Sequence, residues 1–129
     1  MKDNRIIIRF NQPAGDVMTF YINPQNTPLW LDSIINEETN EWPIKVGTVY
    51  KNQDKNGVWR SYKVAALVEN KLFELVSRDG NYHVRYTHKP LSDQSSEMEY
   101  YELVSKGELE EPFTYEILDK LKKAVEKTE

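Results

Sequence analysis

Residues 107–129 read GELEEPFTYEILDKLKKAVEKTE, and this segment separates the candidate folds from one another. Its apolar side chains recur at the spacing that places them on one face of a helix. Acidic residues come early in the segment and lysines come late, an arrangement that complements the helix dipole. The pattern predicts a C-terminal helix of about four turns, opened by Pro112. The predicted apolar stripe consists of Phe113, Ile117, Leu118, Leu121, Ala124 and Val125.

The chain between residues 33 and 104 has the two-residue period of β-strands, interrupted by turn residues. Asn56-Gly57 and Asp79-Gly80 are dipeptides that accept the positive φ of tight hairpin turns. Another turn is predicted at residues 69–70, and a looser connection at residues 90–94. We therefore expect an antiparallel meander with strands at residues 33–40, 46–51, 58–68, 71–77, 82–89 and 96–104.

A first strand and two short helices are predicted ahead of the meander. Alternating apolar side chains indicate a strand over residues 5–10. Pro13 then opens a helix that runs to Ile22, because proline is tolerated at the first helical position. A second short helix follows, with Thr27 as its N-cap and Trp30 on its apolar side.

Length and composition narrow the class of protein. The 129 residues suit a single domain over 1–129, because two separate cores would each be marginal in size. The chain has no cysteine, which excludes disulfides and thiolate metal sites. A net charge of −4 and a pI near 5.3 provide no positive field for a phosphate backbone, so we expect no nucleic-acid partner. The apolar run of three isoleucines near residue 6 is too short for a signal peptide or a membrane span. We expect a cytoplasmic protein with no membrane partner.

This order of elements resembles the Bet v 1/START-like (SRPBCC) superfamily. The most similar pieces are Pro13 with Val17 and Tyr21 ahead of Trp30, Val46-Gly47 at the start of a strand, and the terminal helix after Gly107. Within the superfamily, the chain is most similar to the polyketide cyclase/dehydratase-like and Hsp90-activator-like groups. The resemblance implies an α+β helix-grip fold, in which a curved antiparallel sheet holds the C-terminal helix across its concave face. It also implies a ligand cavity between that sheet and that helix.

Two other folds share part of this pattern. Fatty-acid-binding barrels also place two short helices after the first strand, and cone-shaped folds of the ketosteroid-isomerase kind combine helices with a similar sheet. Neither of them follows its last strand with a long helix. The segment from Gly107 onward therefore favours the helix-grip fold.

The aromatic residues, which make up 12% of the chain, are the candidate ligand contacts. Tyrosine combines apolar area with a hydroxyl group, which suits the wall of a pocket. The expected ligand is a small apolar or aromatic molecule, and the alternative is that the same side chains simply fill a core. The candidate ligand-binding residues are Trp30, Tyr62, Phe73, Tyr86, Tyr100, Phe113, Ile117 and Leu121.

Glu102 and His88 are the candidate catalytic residues. Glu102 is in phase with the apolar face of the last strand, where burial would make a carboxyl group a proton donor or acceptor. The alternative is an ordinary surface acid. His88 could be a general base if Tyr86 faces the cavity, and the alternative is a rim or surface histidine. His83 is an odd number of residues away and should lie on the other face, so we expect no metal site.

Three function classes remain open at this point. The first is a module that binds a small apolar or aromatic molecule, and the second is a cyclase- or dehydratase-type enzyme that acts on such a molecule. The third is a protein-interaction domain like the Hsp90 activators, which would need an exposed apolar patch. No phosphate-binding loop, nucleophile elbow or zinc-protease motif occurs in the sequence, so we expect no cofactor.

Overall fold

The computed structural model describes residues 1–128, and in this part of the chain an antiparallel sheet of seven strands packs against helices. The order across the sheet is β1-β7-β6-β5-β4-β3-β2. None of the helices in residues 1–128 is long and apolar enough to cross a membrane. The strands are β1 (Lys2–Phe10), β2 (Ile34–Thr39), β3 (Val49–Asp54), β4 (Trp59–Val68), β5 (Leu72–Ser77), β6 (Tyr82–Ser92) and β7 (Ser95–Val104). The helices are α1 (Ala14–Ile22), α2 (Thr27–Trp30) and α3 (Tyr115–Lys127), with a 3-10 turn at Pro24–Asn26.

The inner face of the sheet carries the core. Along β7 every second side chain is buried, and the side chains between them are partly exposed. This alternation is the one predicted for the last strand, and it places Glu102 in the same row as its apolar neighbours. The buried row of β7 consists of Ser96, Met98, Tyr100, Glu102 and Val104.

Both predicted hairpin turns are present. Asn56-Gly57 joins β3 to β4, and Asp79-Gly80 joins β5 to β6. Within these dipeptides only the glycines have a positive φ, at 83° for Gly57 and 78° for Gly80. Aspartate side chains complete both turns, since Asp54 accepts the Asn56 N–H at 2.9 Å and Asp79 accepts the Asn81 N–H at 3.0 Å.

Several strand boundaries differ from the prediction, among them the start of β1, at Lys2 rather than residue 5, and the end of β3, at Asp54 rather than residue 51. The third strand begins at Val49 rather than at residue 46, because Gly47 has a φ of 98° and belongs to a turn closed by the Thr48 N–H on the Lys45 carbonyl. The sixth strand continues past Pro90 to Ser92, where a looser connection was predicted. Proline is tolerated there because the β6–β7 register shifts between Pro90 and Ser92.

The helix entries also differ from the prediction. Thr27 is not a cap but the first residue of α2, and its hydroxyl donates to the Glu37 carboxylate at 2.6 Å. The terminal helix begins at Tyr115 rather than at Pro112, because the Thr114 side chain accepts the Ile117 N–H and caps it.

The long terminal helix is part of the core. Leu118, Leu121 and Val125 are fully buried on its apolar side. The helix packs against α2, α1 and β1. The curved sheet, the two short helices after β1 and the C-terminal helix together make the predicted α+β helix-grip architecture.

Candidate functional site

A cavity of about 600 Å³ lies over the inner face of the sheet. Strands β2 to β7 form its floor, α2 closes one side, and residues 108–113, which lead into α3, close the other. Small-molecule sites in proteins commonly have volumes of roughly 300 to 1,000 Å³. The cavity is therefore large enough for a molecule of one or two rings with short substituents.

Stacked aromatic rings form the deep part of the cavity wall. The rings of Tyr21 and Tyr86 stack at a centroid distance of 4.6 Å, and Tyr86 meets Tyr100 edge to face at 5.2 Å. Tyr100 in turn stacks on Phe113 at 4.4 Å, and Phe113 meets the edge of Trp30 at 6.0 Å. These contacts hold the wall in one arrangement without filling the space in front of it.

Six of the eight predicted ligand-binding residues line the cavity, namely Trp30, Tyr62, Phe73, Tyr86, Tyr100 and Phe113. Ile117 and Leu121 do not, which corrects that part of the prediction. Leu121 is completely buried in the core, and Ile117 packs against the same core from a partly buried position. The reason is that α3 begins after Phe113, so the approach to the helix, and not the helix itself, closes the cavity.

Glu102 is buried, with 1% of its surface exposed, and belongs to the cavity wall. Its Oε1 accepts the Tyr82 hydroxyl at 2.7 Å. Its Oε2 accepts the Asn4 amide at 2.9 Å and the Phe113 backbone N–H at 2.8 Å. Three of roughly four acceptor positions of the carboxylate are thus occupied by the protein. The surface-acid alternative is wrong, and the partners of Glu102 indicate a positioning role.

His88 is also buried, but it lies outside the cavity lining. Its Nε2 is 2.6 Å from the Tyr21 hydroxyl, and its Nδ1 has no hydrogen-bond partner. Burial lowers the pKa of the imidazole to about 4. The surface alternative is therefore wrong for His88 too. His88 is joined to the cavity wall by its contact with the hydroxyl of Tyr21, which lines the cavity.

His83 lies on the other face beside Glu74, as the odd spacing predicted. Within residues 1–128 no group of three or more His, Asp or Glu side chains is placed to hold a metal ion.

A second polar group lies in the wall and was not predicted from the sequence. Glu37 of β2 stands directly opposite Asn52 of β3, and both residues line the cavity. Burial raises the pKa of Glu37 to about 7, although hydrogen bonds from Thr27 and Asn52 act in the opposite direction. The Oδ1 of Asn52 and the Nε1 of Trp30 are both buried without a partner. The strands IINEET and VYKNQD have no clear apolar alternation, so nothing in the sequence indicated which of their polar side chains turn inward.

The electrostatic character of the cavity is acidic. Seven acidic side chains line it, against Lys55 and Arg60. Arg60 is already engaged, because its guanidinium contacts the Asp54 carboxylate at 2.7 Å. The acidic lining residues are Glu37, Asp54, Asp79, Glu102, Glu108, Glu110 and Glu111.

Solved structures with low sequence identity share the whole fold. A START superfamily protein from Mycobacterium smegmatis aligns with a TM-score of 0.73 at 12% identity over 98% of this chain and 99% of its own. The Aha1 dimer from Colwellia psychrerythraea aligns with a TM-score of 0.70 at 16% identity over 98% of this chain and 97% of its own. Ara h 8.0201 aligns with a TM-score of 0.67 at 16% identity over 98% of this chain and 96% of its own. No protein-family model matches the chain, and no curated protein sequence matches it significantly. The chain therefore has the Bet v 1/START-like helix-grip fold, as the sequence predicted.

Proposed function

We propose that this chain is a single-domain binding protein for a small apolar or aromatic molecule, which it holds in the cavity over the inner face of the sheet. The observation that carries the proposal is a space of about 600 Å³ walled by aromatic rings. Protein interiors are close-packed, and this space is instead a cleft that opens to solvent beside the exposed residues Lys55, Asp79 and Glu110. A ligand of one or two rings would bury most of its surface there.

The unpaired polar atoms support the same proposal. Buried side-chain donors and acceptors in proteins are nearly always hydrogen-bonded. The Trp30 Nε1–H and the Asn52 Oδ1 have no partner within residues 1–128, and both residues line the cavity. Both atoms are covered by protein atoms, so a bound molecule would reach them after a rotation of either side chain. A hydroxyl or carbonyl group would then accept from Trp30, and a donor on that molecule would bond to Asn52. These two atoms therefore favour an occupant with polar groups at defined positions over a purely aliphatic one.

Calorimetric titration with the neutral probe 2-(1-naphthyl)ethanol tests the proposal. We expect saturable one-to-one binding by the parent protein. Val84→Phe places a larger side chain in the lining of β6 and should weaken binding at least about tenfold, because it occupies the space the probe needs. Val68→Phe makes the same change at an exposed position and should leave binding unaltered.

The outcomes of this titration are distinct. Binding that is absent in the folded parent, or equal in the parent and the Val84 variant, would contradict the proposal. Thermal unfolding shows whether each variant is folded. Leu75→Phe, directly opposite Val84 on β5, is the second cavity-filling variant if the first one does not fold.

One observation favours the enzyme alternative, a cyclase- or dehydratase-type activity. The hydroxyl of Tyr82 and the carboxylate of Glu102, 2.7 Å apart, both belong to the cavity wall. Such a pair could exchange protons with a bound molecule if the ligand displaced one of the protein donors from Glu102. The enzyme alternative is tested by incubating a ligand with the parent protein and, separately, with Glu102→Gln. Mass spectrometry of the recovered ligand then shows whether it has been converted. Conversion by the parent alone would support the alternative, and an unchanged ligand in both samples would count against it.

A further inference from the structure

This inference rests on the proposed function and names the chemical class of its ligand. We infer that the cavity selects a molecule whose apolar or aromatic body carries a protonated amine, with the ammonium group held between Glu37 and Asn52.

The first argument is the supply of hydrogen-bond acceptors at this point of the wall. Glu37 and Asn52 face each other across β2 and β3. The Asn52 Nδ2 lies 3.5 Å from Glu37 Oε2, at the outer limit of a hydrogen bond, and the Asn52 Oδ1 has no donor. The other carboxylate oxygen, Oε1, accepts only from the Thr27 hydroxyl, at 2.6 Å. Glu37 Oε2 thus lacks a strong donor, and so does Asn52 Oδ1, which is covered by protein atoms and meets a ligand only after a rotation of the Asn52 side chain. An ammonium group supplies three donors from one atom.

The second argument is that no basic side chain in residues 1–128 neutralises Glu37. No ion pair within 4.0 Å involves it, and the nearby strand β4 contributes Arg60, which is already paired with Asp54. A carboxylate in a low-dielectric wall is stabilised strongly by an opposite charge close to it. A cationic ligand would provide the charge that the protein itself does not place there.

The third argument is the field of the cavity as a whole. Seven acidic and two basic side chains line it, and the acidic ones include Glu108, Glu110 and Glu111 on the segment that closes one side. A cleft lined mainly by one sign of charge attracts ligands of the opposite sign. A fatty acid or an aromatic carboxylate would be repelled by the same groups. The aromatic faces add to the preference for cations, because a ring attracts a positive charge placed over its face.

The ionisation state of Glu37 makes the inference measurable near neutral pH. Its pKa is raised to about 7 by burial, so the group is partly protonated at pH 6.5. An ammonium group bound beside it favours the ionised form, so binding at pH 6.5 must release the proton from the protonated fraction of Glu37. The titratable groups that face Glu37 are Tyr50, Tyr62 and Tyr86, and burial raises the pKa of each above the usual value for tyrosine. These tyrosines stay neutral near pH 7 and contribute no protons to the measurement.

Three probes with the same naphthalene body separate the effect of charge from that of shape. At pH 7.5 we expect 2-(1-naphthyl)ethylamine to bind about tenfold more tightly than 2-(1-naphthyl)ethanol, and 1-naphthylacetate to bind more weakly than either. Glu37→Gln should remove the advantage of the amine and leave the affinity for the alcohol unaltered. Glu38→Gln, on the exposed face of the same strand, should change neither.

Calorimetry of the amine at pH 6.5 in two buffers with different ionisation enthalpies measures the expelled proton. The parent should release a fraction of a proton per amine bound, and the Glu37→Gln protein should release none. Asn52→Leu gives a second variant if Glu37→Gln does not fold, and it should weaken the binding of the amine more than the binding of the alcohol, because the charged donor loses more than the neutral one.

The results also separate this inference from the proposed function on which it rests. Equal affinities for the amine and the alcohol, or tightest binding of the acetate, would overturn the amine preference and leave the binding function intact. Failure of all three probes to bind the folded protein would overturn both.

Discussion

The backbone N–H of Phe113 donates a hydrogen bond of 2.8 Å to the carboxylate of Glu102. Asn4 of β1 donates to the same oxygen at 2.9 Å, and its amide also reaches the Phe113 carbonyl at 2.8 Å. These bonds fix the segment ahead of α3 to the sheet and set the Phe113 ring on Tyr100. One buried carboxylate thus determines where the cavity wall closes.

Removal of that carboxylate should be severely destabilising. Glu102→Ala strips the acceptor from Asn4, Tyr82 and the Phe113 N–H, and we expect these unsatisfied donors to lower the free energy of unfolding by about 3 to 5 kcal/mol. Glu99→Ala, on the outer face of β7, breaks only an exposed ion pair with Arg5 and should cost less than about 1 kcal/mol. Urea denaturation of both variants gives the comparison. Similar small losses would show that Glu102 does not hold the wall.

The terminal helix should contribute to stability through packing. Leu121 is completely buried, so Leu121→Ala leaves a cavity in the core and should cost about 2 to 5 kcal/mol. Glu126→Ala, one and a half turns later on the exposed side, should change stability by less than about 0.5 kcal/mol. A difference between the two melting temperatures checks this. Equal melting temperatures would mean that α3 does not pack on the core.

His88 should make the protein less stable in acid. Its pKa is lowered to about 4 by burial, against about 6.5 in the unfolded chain, so the unfolded state binds more protons between these values. The stabilising contribution is complete above pH 6.5 and is lost as the pH falls towards 4, by on the order of 3 kcal/mol. Urea denaturation across this range should show the stability gap between the parent and His88→Gln closing as the pH falls. A gap that is independent of pH would contradict the assignment.

Glu37 should have the opposite effect on stability. Its pKa is raised to about 7, above that of an unfolded glutamate, so the folded state binds more protons between pH 4.5 and 7. Its contribution is complete below pH 4.5 and is lost as the pH rises towards 7. Glu37→Gln, which keeps a neutral group at all pH values, should therefore gain stability relative to the parent over this range. The measurement is the melting temperature of both proteins from pH 4.5 to 7.5, and parallel curves would contradict the raised pKa.

The order of elements and the buried faces could be predicted because each rests on local sequence. The helical stripe after residue 113, the alternation in β7 and the two glycine turns are signals of this kind. The extension of β6 past Pro90 could not be predicted, since it depends on a register shift against β7. The exact start of α3 could not be predicted for a different reason. Pro112 and Thr114 are both acceptable helix starts, and the structure begins the helix after Thr114.

The site was predictable only in part. Apolar and aromatic wall residues were found because burial favours them on an inner strand face. The Glu37–Asn52 pair was missed because polar residues on β2 and β3 become cavity residues only through the pairing of those strands. Ile117 and Leu121 fall on the apolar face of a helix, and the helical period alone does not separate a face packed in the core from one that lines a cavity.

The most direct test of ligand binding is the behaviour of the three tryptophan indole N–H resonances during an NMR titration. Trp30 lines the cavity with 3% of its surface exposed and its N–H unpaired, whereas Trp42 and Trp59 are 56% and 47% exposed and lie outside the lining. On addition of 2-(1-naphthyl)ethanol, the Trp30 resonance should move saturably while the other two stay in place. If Trp30 does not move at saturating probe, or if all three move alike without saturation, the cavity is not a binding site.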